Sequence, residues 1–186
     1  MSIAHQRKKQ PAAVRRQLLD VAARLSAADG PGSLTLDAVS QAAGVSKGGL
    51  LHHFPSKAAL IDGLFDDLVS RLDRAIGDAM RQDPVAHGRF TRAYLDAVFA
   101  LNGEDEKKQW HVLTIGLLSE PRLRERWRVW VREREEEFVG TDCSLEAQIV
   151  RFAADGLWLA ELIESHAFEP DRRAALLERL RGLTFL

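Results

Sequence analysis

The chain has few of the features that mark secreted or membrane proteins. Only one of its 186 residues is a cysteine, Cys143, so no disulfide can form within the chain. No apolar run approaches the roughly 20 residues that a membrane-spanning helix needs. The first 16 residues are basic but lack the apolar segment of a secretory signal. We therefore expect a cytoplasmic protein without a membrane partner.

Motifs of the common enzyme classes are also missing. The sequence contains no G-x-S-x-G, no P-loop, no G-x-G-x-x-G and no H-E-x-x-H. The adjacent His52 and His53 would diverge by about 100° on a helix, so they cannot chelate one metal ion. We therefore expect no enzyme, no catalytic residues, no metal and no cofactor.

Charge is distributed unevenly along the chain. Residues 1–60 hold eight Lys and Arg against three Asp, a net charge of +5, which leaves −6 for the rest. A basic end on an acidic body is typical of a protein whose one end meets phosphate. The apolar content of 46% is ample for a hydrophobic core.

The most informative stretch is 35–60, TLDAVSQAAGVSKGGLLHHFPSKAAL. Thr35 precedes an apolar stripe at helical spacing and is an N-cap candidate, and Gly44 suits a C-cap. Ser46 is placed to cap a second short helix from Lys47 to His53. Two short helices joined by a tight turn predict a helix-turn-helix, whose second helix enters the DNA major groove.

Residues 34–61 resemble the DNA-binding signature of the TetR family of bacterial transcriptional regulators. The resemblance rests on AGVSKG, on the L-x-x-HF ending at Phe54 and on the following PSK-x-x-L. It implies an all-α protein of about nine helices that binds operator DNA as a homodimer through helices 8 and 9. We predict a flexible basic arm over 1–11, a helix-turn-helix DNA-binding domain over 12–55, and an effector-binding and dimerisation domain over 56–186.

The DNA contacts are predicted on and around the second short helix. They are Thr35, Ser46, Lys47, Gly48, Gly49, Leu51, His52, His53 and Lys57. Lys47 can pair with phosphate or guanine, and Ser46 and Lys57 can hold phosphate at helix starts. The family often has Tyr at the position of Leu51; since Leu51 cannot make that backbone contact, His52 is the expected substitute.

Several interpretations of this region stay open. His53, beside Phe54, is expected to be packed in the core. Gly48 and Gly49 favour either close approach to DNA or tight packing against helix 1. The basic residues Arg7, Lys8 and Lys9 suit either a DNA-binding arm or a solvated tail.

The helix pattern of the remaining chain is punctuated by proline, glycine and caps. The periodicity predicts helix 1 over 12–28 and helix 4 over 57–81. Helix 5 is expected from Pro84 to 101, helix 6 over 104–118 and helix 7 from Pro121 to 139. Helix 8 is expected over 142–166 and helix 9 from Pro170.

The C-terminal part resembles the effector-binding domain of the family in LLSEPRLRERW and AADGLWLAELI, and the latter is similar to a subset that controls multidrug efflux. The resemblance implies a ligand pocket between helices. The candidate lining residues are Phe99, Trp110, Leu113, Thr114, Leu117, Trp127, Trp130, Phe152, Asp155 and Trp158. Aromatic rings with one carboxylate suit a flat hydrophobic or cationic small molecule, although aromatics at these spacings also suit a plain core.

Helix 8 is apolar on more than one face, which predicts a partner beyond the core of its own chain. Self-association is the favoured interpretation, and a wider single-chain core is the other. We expect a repressor that a small-molecule effector releases from its operator. The alternatives are a regulator that binds no ligand and a helical binding module unrelated to DNA.

Overall fold

The computed structural model describes residues 3–29, 34–100, 110, 114–163, 165–166 and 168–185. These residues form helices joined by short connections, and no strand occurs among them. The predicted all-α class is confirmed. None of the described helices is long and apolar enough to cross a bilayer.

The helices are numbered in chain order. They are α1 Ile3–Asp29, α2 Leu36–Ala42, α3 Lys47–His53, α4 Lys57–Gln82, α5 Arg89–Phe99, α6 over 114–119, α7 Pro121–Glu137, α8 Leu145–Leu162 and α9 Pro170–Leu183. A single helical turn, Val139–Asp142, lies between α7 and α8.

Helix α1 begins nine residues before its predicted start. The backbone of the expected arm is helical from Ile3 and continues through Pro11. The segment lacks hydrophobic periodicity, but Arg and Lys are good helix formers and need no apolar face to adopt a helix. The side chains of Arg7, Lys8 and Lys9 lie outside the described residues, so their role stays a prediction.

Helix α5 begins at Arg89, five residues after the prediction. The Asp83 carboxylate accepts the backbone N–H of Val85 (2.8 Å), which forms a tight turn instead of a helix start. Gly88 then adopts a left-handed conformation with φ +69 at the N-cap. The connection is held by Arg92, whose guanidinium donates to the carbonyls of Val85 and His87.

Two compact units divide the chain. The first comprises 1–69 with 103–124, and the second comprises 70–102 with 125–186. The boundary between the units falls inside α4. The predicted boundary between the DNA-binding domain and the effector-binding domain lies between residues 55 and 56, and it stays a prediction. Most of predicted helix 6 lies outside the described residues; 114–119 is helical, which extends one residue past the predicted end at 118.

The core of the first unit joins α1 to the two short helices and the start of α4. Its fully buried members are large aliphatic and aromatic side chains: Leu18, Leu34, Val39, Leu50, Phe54 and Leu60. Helices of seven residues are too short to persist alone in water, so this core supplies their stability.

The second unit is centred on α5, which is buried on nearly all sides and packs against α8. The C-terminal α9 is fastened to α5 by arginines. Arg173 donates to the Phe99 carbonyl (2.9 Å), and Arg181 pairs with the Asp96 carboxylate. Arg92 is 3% exposed and also donates to the Thr184 hydroxyl, which fixes the end of the chain beside α5.

Candidate nucleic-acid interface and effector pocket

Local capping sets the length of both short helices. The Thr35 hydroxyl accepts the N–H of Ala38 (3.1 Å) at the start of α2. The Ser46 hydroxyl accepts the N–H of Gly49 (3.1 Å) at the start of α3. Gly44 has φ +64, a left-handed conformation that an L side chain rarely adopts, so it permits the turn between them. The predicted helix-turn-helix is therefore present.

Helix α3 is braced from below by two buried side chains. Leu50 is fully buried, and Phe54, the C-cap residue, is 1% exposed. The Arg15 guanidinium of α1 lies over the Phe54 ring at 4.8 Å from its centroid. A Cβ at Gly63 of α4 would meet the same ring at 2.7 Å, so the absence of a side chain there makes room for it. The Phe54 ring thus fits closely between α1 and α4.

The opposite face of α3 is open within the first unit. Lys47, Gly48, Leu51 and His52 are all exposed. The Lys47 ammonium lies 2.9 Å from the Asp37 carboxylate, an exposed ion pair that contributes little and can exchange for another anion. This face combines a cation, two imidazole-bearing positions at its end and an uncovered backbone, which suits a duplex groove.

The two glycines of α3 differ in their surroundings. A Cβ at Gly48 would meet nothing within 4 Å, whereas one at Gly49 would meet Val45 Cγ1 at 2.9 Å. Gly49 is therefore explained by tight packing against the turn rather than against helix 1. Gly48 has no such explanation inside the chain, and close approach of an outside molecule remains the open interpretation.

The remaining predicted contacts border α3. His53 is half-buried, with its ring centroid 5.4 Å from that of His52, so it is not a core residue. His53 lies in the last turn of α3 at the edge of the core, and the next residue, Phe54, enters the core instead. Lys57 is the first residue of α4, whose N-cap Ser56 accepts the N–H of Ala59 (3.0 Å).

A cavity of about 160 Å³ lies in the second unit between α5, α7 and α8. It is lined by aromatic, charged and amide side chains and one valine: Phe90, Tyr94, Trp130, Val131, Arg134, Glu135, Gln148, Arg151, Phe152 and Asp155. This volume is close to that of an engineered apolar cavity that admits one benzene molecule. The cavity as it stands therefore takes a group the size of one ring.

A hydrogen bond joins the inner and outer walls of the cavity. The hydroxyl of buried Tyr94 donates to Asp155 Oδ1 (2.5 Å). Burial and the nearby carboxylate both hold the pKa of Tyr94 well above its ordinary value of 10.0, so the hydroxyl stays protonated. Burial raises the pKa of Asp155, whereas the Tyr94 hydrogen bond and the Arg151 charge oppose the rise. Asp155 is exposed as a whole residue, whereas Tyr94 is buried, so Asp155 forms the outer end of this hydrogen bond.

One cavity wall is connected to α4. Trp130 Nε1 donates to Asp73 Oδ1 (3.0 Å) in the C-terminal half of α4, and Arg134 Nε lies 3.7 Å from the same oxygen. Trp130 also stacks on Trp127 with centroids 4.8 Å apart, and Trp127 meets Trp158 edge-on. A displacement of Trp130 would therefore act directly on α4.

Helix α8 is apolar on more than one face, as predicted, and the two apolar faces lie opposite each other. One face, with Ala147, Val150, Ala154 and Leu157, is buried in the second unit. The other face, together with Ile163 just after the helix, carries the residues that we call the outer stripe: Leu145, Ile149, Phe152, Gly156, Leu159 and Ile163. The five large side chains of the outer stripe are 46–73% exposed. Helix α9 adds Phe185, just past its end, as a large exposed apolar residue.

Two family models match the chain. Residues 18–64 match the model described as bacterial regulatory proteins, tetR family. Residues 88–185, more than half of the chain, match the tetracyclin repressor-like C-terminal domain. The chain belongs to the TetR family. It is a DNA-binding transcriptional regulator, and the helix-turn-helix of the first unit is the element with which such regulators contact DNA.

Curated relatives in the TetR family agree. The repressor KstR2 of Rhodococcus jostii is 35% identical over 94 residues, which cover 48% of this chain and 42% of KstR2. The regulator BetI of Pseudomonas aeruginosa is 26% identical over 85% of this chain and 86% of its own length. The chain thus spans less than half of the first relative and most of the second.

Solved structures share the fold. SCO1917 from Streptomyces coelicolor has a TM-score of 0.70 at 18% identity, covering 90% of this chain and 97% of its own. The multidrug binding protein EbrR, solved with malachite green, has a TM-score of 0.69 at 19% identity, covering 91% and 97%. TetR-family regulators bind operator DNA and small-molecule effectors and act as dimers.

The predicted pocket residues of this TetR-family chain divide into three groups. Trp130, Phe152 and Asp155 line the cavity. Trp127 and Trp158 extend its aromatic wall without lining it, and Phe99 packs under the Arg173 guanidinium instead. In the first unit Trp110 is buried and Thr114 donates its hydroxyl to the Trp110 carbonyl (3.0 Å); Leu117 is half-buried, and Leu113 lies outside the described residues.

Sequence reasoning missed seven lining residues, of which Tyr94 and Arg151 shape the chemistry most. Tyr94 is the only tyrosine of the chain and stands in an apolar stripe, a position that predicts core bulk. Its partner Asp155 lies 61 positions away, and no local spacing signals that pair. Among the described residues, no group of three or more His, Cys, Asp or Glu could hold a metal ion.

Proposed function

We propose that this TetR-family regulator is a cytoplasmic homodimeric repressor, and that a small ligand in the second-unit cavity releases it from its operator. The observation that carries DNA recognition is the two-sided character of α3. Leu50 is fully buried on one side, while Lys47, Leu51 and His52 are exposed on the other. A braced helix whose other face is uncovered and carries a cation and an imidazole supports insertion into a major groove.

The dimer is proposed to form through α8 and α9, for which the outer stripe is the support. Two copies place two α3 helices on a palindromic operator, which raises affinity without any new contact within one half-site. The chemistry of the cavity supports a one-ring hydrophobic or cationic ligand, because aromatic rings line it and the Asp155 carboxylate lies at its mouth.

The route from ligand to DNA is proposed to run through Trp130 and α4. A ring bound in the cavity lies against Trp130, a lining residue whose N–H is bonded to Asp73 of α4. Helix α4 continues without interruption from residue 57, next to the DNA-binding helices, to residue 82. A shift of this helix therefore reaches the DNA-binding end. A coupling free energy of about 1–3 kcal/mol is typical of such linkage and corresponds to a roughly 5–150-fold change in operator affinity.

The experiment measures operator affinity by fluorescence anisotropy with DNA flanking the gene. Toluene, benzyltrimethylammonium and malachite green serve as neutral one-ring, cationic one-ring and larger cationic probes. We expect at least one of the two one-ring probes to lower operator affinity five-fold or more. Specific binding without any response would overturn the ligand part, and absence of specific binding would overturn the whole proposal.

A matched pair of variants tests the route. Asp73→Ala removes the acceptor of Trp130, while Asp78→Ala removes an exposed carboxylate of the same helix that pairs only with Arg81 among the described contacts. The first variant should bind operator yet respond weakly to the effective probe, and the second should respond like the parent. Equal responses from both variants would show that the Trp130–Asp73 bond is not the route.

A further inference from the structure

The outer stripe of α8 and the cavity share one residue. Phe152 is 73% exposed as a member of the stripe and also lines the cavity. On a helix that turns about 100° per residue, the lining residues Gln148 and Asp155 lie about 40° and 60° to one side of Phe152. The remaining stripe residues lie between about 20° from Phe152 on that same side and about 60° from it on the other side. The cavity mouth therefore opens along the edge of the stripe.

The stripe has the form of a helix–helix seam. Its six residues follow one another at spacings of 4, 3, 4, 3 and 4, the heptad pattern of paired helices, over about 27 Å. Taking roughly 180–200 Å² for each large residue, the exposed surface of the five is about 550 Å². That is near the upper end of the roughly 300–600 Å² of the largest apolar patch on a typical monomer, a patch that is often functional, and it is a large share of the roughly 800 Å² per partner of a standard interface.

The centre of the stripe favours a second copy of this chain as the occupant. Gly156 stands beside that centre, and a Cβ added there would meet nothing within 4 Å of its own chain. A glycine in the middle of a helix costs about 1 kcal/mol relative to Ala. Because no atom of the chain lies close to Gly156, packing within the chain does not explain this glycine. It would let two backbones approach closely at a crossing, as small residues do between packed helices. A stripe symmetric about this point is self-complementary, as an isologous two-fold contact requires.

We infer that the second copy packs its own outer stripe against this one and covers the cavity mouth beside Phe152, so that the effector pocket is complete only in the dimer. In a two-fold contact, the Phe152 ring of each copy meets the open surface at Gly156 of the other. A ligand then enters before or during assembly, or through opening of the contact, and ligand binding and dimer formation are thermodynamically linked. This inference rests on the proposed function, because the cavity that the second copy covers is the proposed effector pocket.

The test needs no effector. In a Cys143→Ser background, Gln148→Cys places a thiol at the cavity mouth beside the stripe, and Glu133→Cys places one on an exposed position of α7 that does not line the cavity. The stripe variant combines Ile149→Glu with Leu159→Glu, which places two charges in the outer stripe in order to dissociate the dimer. The matched control is Val85→Glu with Leu118→Glu, two exposed apolar residues outside it. Sedimentation equilibrium gives the oligomeric state, and maleimide labelling gives the thiol reactivity.

We expect the parent and the control pair to be dimers in which the thiol at position 148 reacts at least ten-fold more slowly than in the stripe variant. The rate of the thiol at position 133 should not change. Equal rates at position 148 in dimer and monomer would overturn the inference and leave the ligand-responsive repressor intact. A parent chain that is monomeric at all concentrations, or a dimer that persists in a folded stripe variant, would overturn it as well.

A second variant tests the same contact in case the stripe variant does not fold. Gly156→Gln adds a polar side chain into space that is empty in the single chain, so circular dichroism of the folded protein should be retained. We expect it to weaken the dimer at least ten-fold and to raise the reactivity of the thiol at position 148. A dimer of unchanged affinity would show that the helices do not cross at Gly156 and would refute the proposed contact.

Discussion

The fit of Phe54 against α4 gives the sharpest prediction about the DNA-binding unit. Gly63→Ala places a methyl group at the position where a Cβ would lie 2.7 Å from Phe54 Cε1 and 3.3 Å from Leu19 Cδ2. The ring cannot retreat easily, because it is 1% exposed and the Arg15 guanidinium covers it. Since Phe54 ends α3, a displaced ring also tilts the helix that we propose contacts DNA.

The magnitude follows from two opposing effects. Overpacking a close-packed core by one methyl group costs about 1–3 kcal/mol. Replacing Gly by Ala inside a helix returns about 1 kcal/mol. The net loss of unfolding free energy is then about 1 kcal/mol, which lowers Tm by about 2–4 °C for a chain of this length.

The assay is thermal unfolding by circular dichroism together with operator anisotropy. Gly77→Ala is the matched control, because it lies in the same helix and its Cβ would meet only the end of the flexible Arg81 side chain at 3.5 Å. We expect Gly77→Ala to raise Tm and leave operator affinity unchanged, and Gly63→Ala to lower both. A rise in Tm for Gly63→Ala equal to that of the control would refute the close fit of Phe54.

Two further predictions concern the second unit. Burial raises the pKa of Asp83, but hydrogen bonds from Arg92 and the Val85 N–H and the Arg92 charge outweigh it and hold the pKa below its ordinary value of 3.8. The stability that this shift contributes is present above pH 3.8 and is lost as the pH falls through the lower pKa of the folded state. The difference in unfolding free energy between the parent and Asp83→Asn should therefore shrink in that pH window. A difference that is independent of pH would contradict the ion pair. Tyr94→Phe removes the donor that lowers the pKa of Asp155, so the carboxyl ¹³C titration should move to higher pH, and an unchanged titration would contradict the contact.

Features controlled by neighbouring residues could be predicted from the sequence. The Thr35 and Ser46 caps and the Gly44 turn act within about four positions, so residue type and spacing are sufficient to place them. The two apolar faces of α8 likewise follow from helical periodicity.

Features that depend on distant partners could not be predicted. Arg92 resembles an ordinary charged residue of a surface helix, yet it is buried and holds the 83–88 connection and Thr184. The predicted start of α5 was wrong for this reason, because a buried guanidinium competes for the carbonyls near Pro84. The pairing of Tyr94 with Asp155 requires two helices to be placed first, which no sequence periodicity supplies.

The central claim is that the exposed face of α3 contacts duplex DNA, and operator affinity of Lys47→Ala tests it most directly. The control is Arg128→Ala, which removes an exposed cation of α7 that pairs with Glu125. We predict at least a ten-fold loss of operator affinity for Lys47→Ala, a shallower salt dependence if the contact is to phosphate, and no change for Arg128→Ala. An affinity for Lys47→Ala equal to that of the parent, or an equal loss in both variants, would contradict the claim.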